Sequence, residues 1–544
     1  MHPARYCRVA CAGVLALTFS GCGHDGPSET FTQPEEIRSV NGELHTTFTV
    51  SDTQVTVAGK SVRTTVYNGA YMPPLLRVKP GDTIYLNLNN QTSEPTNEHY
   101  HGLNVSPRIN PDATVSDNIL IQADPGTQVN YKIQIPATHN PGLYWYHAHL
   151  HGLAERQVMG GLSGGLIVEG VLDPFPELKN IRERVMLLKD IQITPQGGLP
   201  EDIDPGGDTN RTLNGTTEPT LALGQGEIQF WRIANIGADL YYRLKIDGLV
   251  FEELARDGNR HNKLVQMEEI LLPPGARSEV LIRGGQPGNY ELRTLAFNTG
   301  PDGDSYVAAK LATIVTRGQQ VAQIALPQVL PGVEDFRPLP VARRRTITFS
   351  EDTVNNTFFM DSGAGAAQFD ANRVDSTIQA GTVEEWTINN ASAELHVFHI
   401  HQTDFQVTQI NGVAQDFAGH QDSINVPFQV DGAPPGQVKV LIDFRDPNIL
   451  GKFVYHCHIL EHEDGGMMSI AEVVGPPGAA APLDLLALRN TSFDRSVIAN
   501  TLGAFQSGSY CKVQRPGVAA TAAPLTAQRE PKFRIERLQV RAQP

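Results

Sequence analysis

Cysteine is scarce, and most of it sits at one end. Of five cysteines in 544 residues, Cys7 and Cys11 lie in an apolar N-terminal stretch and Cys22 closes it, leaving Cys457 and Cys511 for the body. Two are too few for a disulfide-stapled scaffold. Long apolar runs are missing too: none of about 20 residues follows the N-terminus, so a soluble body without a membrane-spanning helix is expected. Basic charge is in deficit, with 43 Lys and Arg against 59 Asp and Glu and a net charge of −16. Affinity for phosphate backbones comes from clustered Lys and Arg, so a nucleic-acid partner is excluded, and small neutral or cationic substrates fit better. Long helical periodicity is likewise scarce.

The first 22 residues carry Arg5 and Arg8, an apolar core Ala10 to Phe19, then Ser20 and Gly21 before Cys22. This reads as an export signal. A cysteine after small residues resembles the bacterial lipoprotein box, with Phe19 where that box usually has Leu. The expectation is therefore an exported bacterial protein, periplasmic or anchored to the cell envelope through a lipidated Cys22. No Arg-Arg pair precedes the apolar core, so a twin-arginine route is unsupported.

Short runs rich in Val, Ile, Thr and aromatics recur between Gly, Pro, Asn and Asp clusters, an all-β pattern. Examples are Thr46 to Val57, Thr83 to Asn89, Gln128 to Ile135, Glu227 to Ile233, Ser278 to Arg283, Tyr290 to Thr294, Arg345 to Ser350, Val383 to Ile388 and Gln437 to Phe444. Their spacing suits β-sandwiches. Two proline-bearing linkers, Gly170 to Leu178 and Ala325 to Val341, cut the body into blocks over 40–172, 179–325 and 342–475. Each block repeats a motif, starting at Val78, Leu223 and Ile378, in which a Gly turn precedes an alternating strand that ends near Asn. Residues 476–544 form an Ala/Pro-rich tail with nine Lys and Arg against four Asp and Glu, read as a partly disordered extension that holds Cys511 as a free thiol.

Histidine is where the sequence departs most from chance. Ten of the 17 fall in four clusters: His99-Tyr-His101, His147-Ala-His149, His396-Val-Phe-His399-Ile-His401 and His456-Cys-His458-Ile-Leu-Glu-His462. Random placement would give roughly half an His-x-His pair, and five occur. Residues i and i+2 of a strand share a face, so one such strand offers two imidazoles side by side. Four strands, two from the first block and two from the third, would bring eight imidazoles together. A zinc site takes three or four ligands; eight suit a cluster of three metals completed by water, hydroxide or O2. If His456 and His458 face that cluster, Cys457 points to the other face of its strand, where it can join His396, His462 and Met467. Two His, one Cys thiolate and a weak axial Met are the ligands of a blue copper electron-transfer site.

These motifs, with the stretch Tyr455-His-Cys-His-Ile-Leu-Glu-His-Glu-Asp-Gly-Gly-Met-Met468, resemble the multicopper oxidases: laccases, ascorbate oxidase, bilirubin oxidase, the spore-coat laccase and the copper-efflux oxidase. The resemblance spans roughly Thr46 to Val474. It implies three consecutive cupredoxin-like Greek-key β-sandwich domains and four copper ions. The implied ligands are His396, Cys457, His462 and Met467 for type 1, His99 and His399 for type 2, and His101, His147, His149, His401, His456 and His458 for the type 3 pair. Met468 is the neighbouring alternative, and the family's spacing favours Met467. Val397 stands where the family commonly has Pro.

Reducing O2 to two waters consumes four protons, so carboxylates are needed as relays. Glu463 matches the family's glutamate beside the type 3 coppers. Asp117 and Asp112 compete for the family's aspartate at the type 2 site, the distance to Pro125-Gly126 favouring Asp117. Asp422 resembles an outer partner of a ligand histidine. The partners implied are O2 and a small reducing substrate, and a monomer is expected. The donor is a phenol, aromatic amine or similar compound, with electrons entering at the His462 edge through a shallow apolar groove. The alternative is a metallo-oxidase for Cu(I), Mn(II) or Fe(II); eight methionines without a Met-rich insert weaken the Cu(I) version. A copper-free scaffold should have lost ligands, and a two-domain nitrite reductase would not need a third sandwich.

Overall fold

The computed structural model describes residues 29–475 except Asp202, Gln328 and Asp431. The expected export signal with Cys22 and the tail with Cys511 lie outside the described residues. Apart from two short α-helices, Ala154–Gly160 and Leu460–Asp464, and single turns of 3-10 helix, the regular structure described is strand.

Three successive stretches of chain each build two sheets of four or more strands, and the second adds a two-stranded ribbon, Phe297–Asn298 with Ser305–Tyr306. The first forms a four-stranded and a five-stranded sheet, the second a five- and a six-stranded one, and the third a five- and a seven-stranded one. The strands read from sequence fall within a few residues of those observed. Thr83–Asn90, Ile228–Asn235 and Val383–Asn390 are the repeated strands. Each runs parallel to the opening strand of its unit, Glu43–Val57, Arg182–Ile191 and Val341–Asp352. Each is antiparallel on its other side, to Gln128–Gln134, Arg277–Arg283 and Gly436–Asp443.

The terminal asparagine of each repeated strand explains why the motif recurs. Asn90, Asn235 and Asn390 are all fully buried. Their amides donate to Glu94 O and Ala123 O, to Leu240 O and Leu272 O, and to Glu394 O and Val426 O. One side chain thus ties the loop after its strand to a more distant segment, satisfying carbonyls that burial would otherwise orphan. The alternating apolar residues close the cores around Trp231 and Trp386, both 0% exposed.

Candidate metal centre

Strand register sets the first contacts. His99–His101 pairs antiparallel with Gly142–His147, placing His99 opposite His147. His396–Ile400 pairs with Gly451–Cys457, placing His399 opposite His456 and Phe398 opposite Cys457. The expectation that strand alternation carries all four motifs needs correction: His149, His401 and His458 lie just past the ends of their strands. Their rings still reach the same place between the first and third units, because the chain leaves each strand toward the opposing unit.

Eight rings converge there in overlapping triads: His99, His101 and His399; His101, His147 and His458; His149, His401 and His456. Within each triad the donor atoms lie within 4.8 Å of one another. In the third triad the Nε2 atoms of His149, His401 and His456 lie 3.2 Å from each other. Such spacing suits nitrogens around one ion with metal–nitrogen bonds of about 2.0 Å.

In three of the rings the far-side nitrogen is engaged, which leaves the inner nitrogen free as an acceptor. His99 Nδ1 is 3.0 Å from Asp117, His147 Nδ1 donates to Ala148 O, and His399 Nδ1 donates to Asp422 O at 2.8 Å. Their Nε2 atoms are buried without a partner. His101 is turned the other way, its Nε2 3.2 Å from Asp422 and its Nδ1 3.0 Å from His458 Nε2. Burial holds these imidazoles well below their ordinary pKa, hence neutral and ligand-competent. Neutral imidazole nitrogens converging at 3.0 to 3.2 Å suit a cation held between them, so the residues fit copper.

A second cluster sits on the other face of the Cys457 strand. Cys457 Sγ is 3.7 Å from His396 Nδ1 and 3.6 Å from His462 Nδ1, and those nitrogens are 3.0 Å apart. All three residues are buried, and burial pushes the thiol pKa up; a bound cation would deprotonate it. His396 Nε2 is fixed by Ser392 Oγ at 2.6 Å. Met467 belongs to the apolar core that holds Cys457, whereas Met468 packs with Val454 and Ile470 in another. His462 is covered by its neighbours. That residue is 2% exposed, stacked by Phe358 at 4.3 Å, with Glu394 3.6 Å from Nε2. Burial raises Glu394 to a pKa of about 8.

The acids separate cleanly. Asp117 is buried, touches His99, and accepts from the Tyr100 amide at 3.1 Å and the Gln402 amide nitrogen at 2.6 Å. Asp112 is not brought to the site: it is exposed and pairs with Lys132 at 2.8 Å. Glu463, 0% exposed, sets its two oxygens 3.2 Å from His149 Nδ1 and 3.0 Å from His456 Nδ1.

Arg277, from the unit without paired histidines, escaped the sequence reading. Fully buried, it holds Asp422 in two contacts of 2.8 and 2.7 Å and donates through Nε to Leu143 O. One guanidinium thereby joins all three units and aims Asp422 at His101. Gly102, at φ +85°, leaves the room this needs, because a Cβ there would collide with Arg277 and Asp422. A Cβ at Gly275 would press within 3.0 Å of the His458 ring. Glycine after His101 was a visible cue; Arg277 gave none.

A histidine-rich metal centre shared by the outer two of three β-sandwiches, with a His2Cys site one strand face away, defines a copper redox protein. Residues 49–172, 190–318 and 337–475 each match multicopper oxidase domains, and the chain belongs to the multicopper oxidase family. Its domains are accordingly cupredoxin-like. It is 27% identical to the multicopper oxidase mco of Staphylococcus aureus, over 76% of this chain and 85% of that protein. It is 26% identical to the cell division protein FtsP of Escherichia coli, over 86% and 96%. Among solved structures it resembles a multicopper oxidase from Campylobacter jejuni described as a metallo-oxidase, with TM-score 0.69, 26% identity and 82% and 94% coverage.

Proposed function

We propose that this protein oxidises a small donor by single electrons at a type 1 copper and reduces O2 to water at a cluster of three coppers. His396, Cys457, His462 and Met467 would hold the first, His99 and His399 the type 2 ion, and His101, His147, His149, His401, His456 and His458 the type 3 pair. The observation that carries the reading is the sequence His456-Cys457-His458, whose thiol turns to the His396–His462 site while the imidazoles on either side of it turn to the histidine cluster, so that a few covalent bonds join the two. Copper supplies the one-electron chemistry. The chain holds the rings neutral and oriented, excludes bulk water from both sites, and sets Glu463 and Asp117 where protons must pass. The intact donor set favours an oxidase over a role in cell division alone, which is the description carried by FtsP.

Laccase-type oxidation of phenols or aromatic amines is the first donor reading. Glu394 at the His462 edge favours a second, a cationic donor such as Mn(II), Fe(II) or Cu(I): burial keeps its carboxyl protonated up to about pH 8, and an arriving cation would release that proton and pair with the carboxylate. The likeness to the Campylobacter metallo-oxidase points the same way. We place the protein in the cell envelope, exported and lipidated at Cys22. The test is copper loading followed by visible spectroscopy and O2 uptake with a phenol and with Mn(II). Full copper content without O2 uptake on any donor would sink the oxidase reading, and the donor that supports turnover chooses between the two classes.

A further inference from the structure

Val397 brings a backbone N–H to the sulfur of Cys457. The amide nitrogen lies 3.4 Å from Sγ. Pairing of its strand with Gly451–Cys457 begins only at Phe398, so the amide at 397 has run past the end of that ladder and turns onto the sulfur. Its carbonyl meanwhile accepts from His458 N at 2.8 Å, which fixes the peptide on both sides of Cys457. The Ile459 amide is a second donor to the same sulfur. Residue 397 is fully buried, so no water competes for the contact. A proline here, the residue common in the resembling family, has no N–H to give.

We propose that the Val397 N–H raises the reduction potential of the type 1 centre, widening the donors it can oxidise; this rests on the reading of Cys457 as a copper ligand. A thiolate carries more negative charge when its metal is reduced. A fixed donor at the sulfur therefore stabilises the reduced state more than the oxidised one, and hydrogen bonding around this sulfur is one of the levers on blue-copper potentials. The effect belongs to the backbone, so it should survive any side chain at 397 except proline.

The experiment is redox titration of the copper-loaded full chain against a one-electron mediator, following the blue absorption. Val397→Pro should shift the equilibrium toward oxidised copper by about tenfold, equivalent to 59 mV for one electron, and Val397→Ala should stay within about twofold of the parent. A blue Val397→Pro protein with the parent's potential overturns the inference alone. Parent protein with copper bound and no blue absorption overturns both the inference and the ligand reading. Should the proline variant not fold, pulsed EPR on parent protein labelled with 15N-valine decides: coupling to one valine amide nitrogen is expected, vanishing in Val397→Ile. Absence of that coupling overturns the proposal.

Discussion

His456 and Cys457 are consecutive, yet they serve different sites: His456 Nε2 lies 3.2 Å from His149 and His401, and Cys457 Sγ lies 3.6 Å from His462. Alternation along one strand turns a single peptide bond into the link between donor oxidation and oxygen reduction.

Cutting that link defines the first prediction. Cys457→Ser removes the only thiolate at the His396–His462 site and should abolish the intense blue absorption and turnover, while the histidine cluster still binds copper. Visible and EPR spectra of the loaded variant check this. Persistence of a blue band would show that another group is the sulfur ligand.

Asp117 and Asp112 should behave oppositely. Asp117→Asn disturbs the contact that orients His99 and should lower O2 consumption or copper retention by about 10- to 100-fold, the usual effect of removing an outer partner of a metal ligand. Asp112→Asn loses only an exposed ion pair and should leave both within about twofold. Equal effects of the two changes would refute the assignment.

Glu463 bridges the outer nitrogens of His149 and His456, away from the His462 face. Glu463→Gln keeps its size, so anaerobic reduction of the blue copper should proceed at nearly the parent rate. Steady-state O2 consumption should fall about tenfold or more, as for a lost proton donor. Stopped-flow reduction beside O2 uptake measures both, and an unchanged O2 rate removes Glu463 from proton delivery.

Arg277 should matter to the histidine cluster although its own domain contributes no histidine to it. Arg277→Lys cannot reproduce the two-point hold on Asp422. We expect one type 1 copper per chain with intact blue colour, and about tenfold weaker copper retention at the histidine cluster. Copper content after dialysis against a chelator checks it; full retention would make Arg277 a packing residue only.

A cluster of buried acids should contribute less to the stability of the copper-free protein as pH rises. Glu155, Asp239, Glu461 and Asp464 crowd where the three domains meet, and burial raises all four, Asp464 from 3.8 to about 8. A carboxyl with a raised folded pKa binds its proton more tightly folded than unfolded. Its contribution is complete below the unfolded value and disappears as pH climbs through the folded one. The buried imidazoles act oppositely, because their lowered folded pKa adds stability as pH rises toward about 6.5. The acids are therefore read by difference: the melting temperature of Glu155→Gln relative to the parent should rise between about pH 4 and pH 8. A difference between variant and parent that does not change over this window would contradict the cluster's burial.

Much of this protein is written locally. Period-two runs between Gly and Asn specify strands, and an i, i+2 histidine pair needs only an extended backbone to present two rings to one face. The three repeats, the ligand residues and the split between His456 and Cys457 follow from such short spacings. Other features depend on where distant segments meet, which no local period encodes. Asp112 and Asp117 look alike in sequence, and only the turn of their loop buries one against His99 and leaves the other beside Lys132. Phe358 and Glu394 cover His462 where an open groove was expected, because the third domain's opening hairpin and the loop before His396 both pack onto the short helix that carries it. Arg277 has no neighbouring motif at all: it reaches Asp422 across a domain boundary, and the glycine at 102 that makes room for it gains its meaning only once three domains close around the same few ångströms.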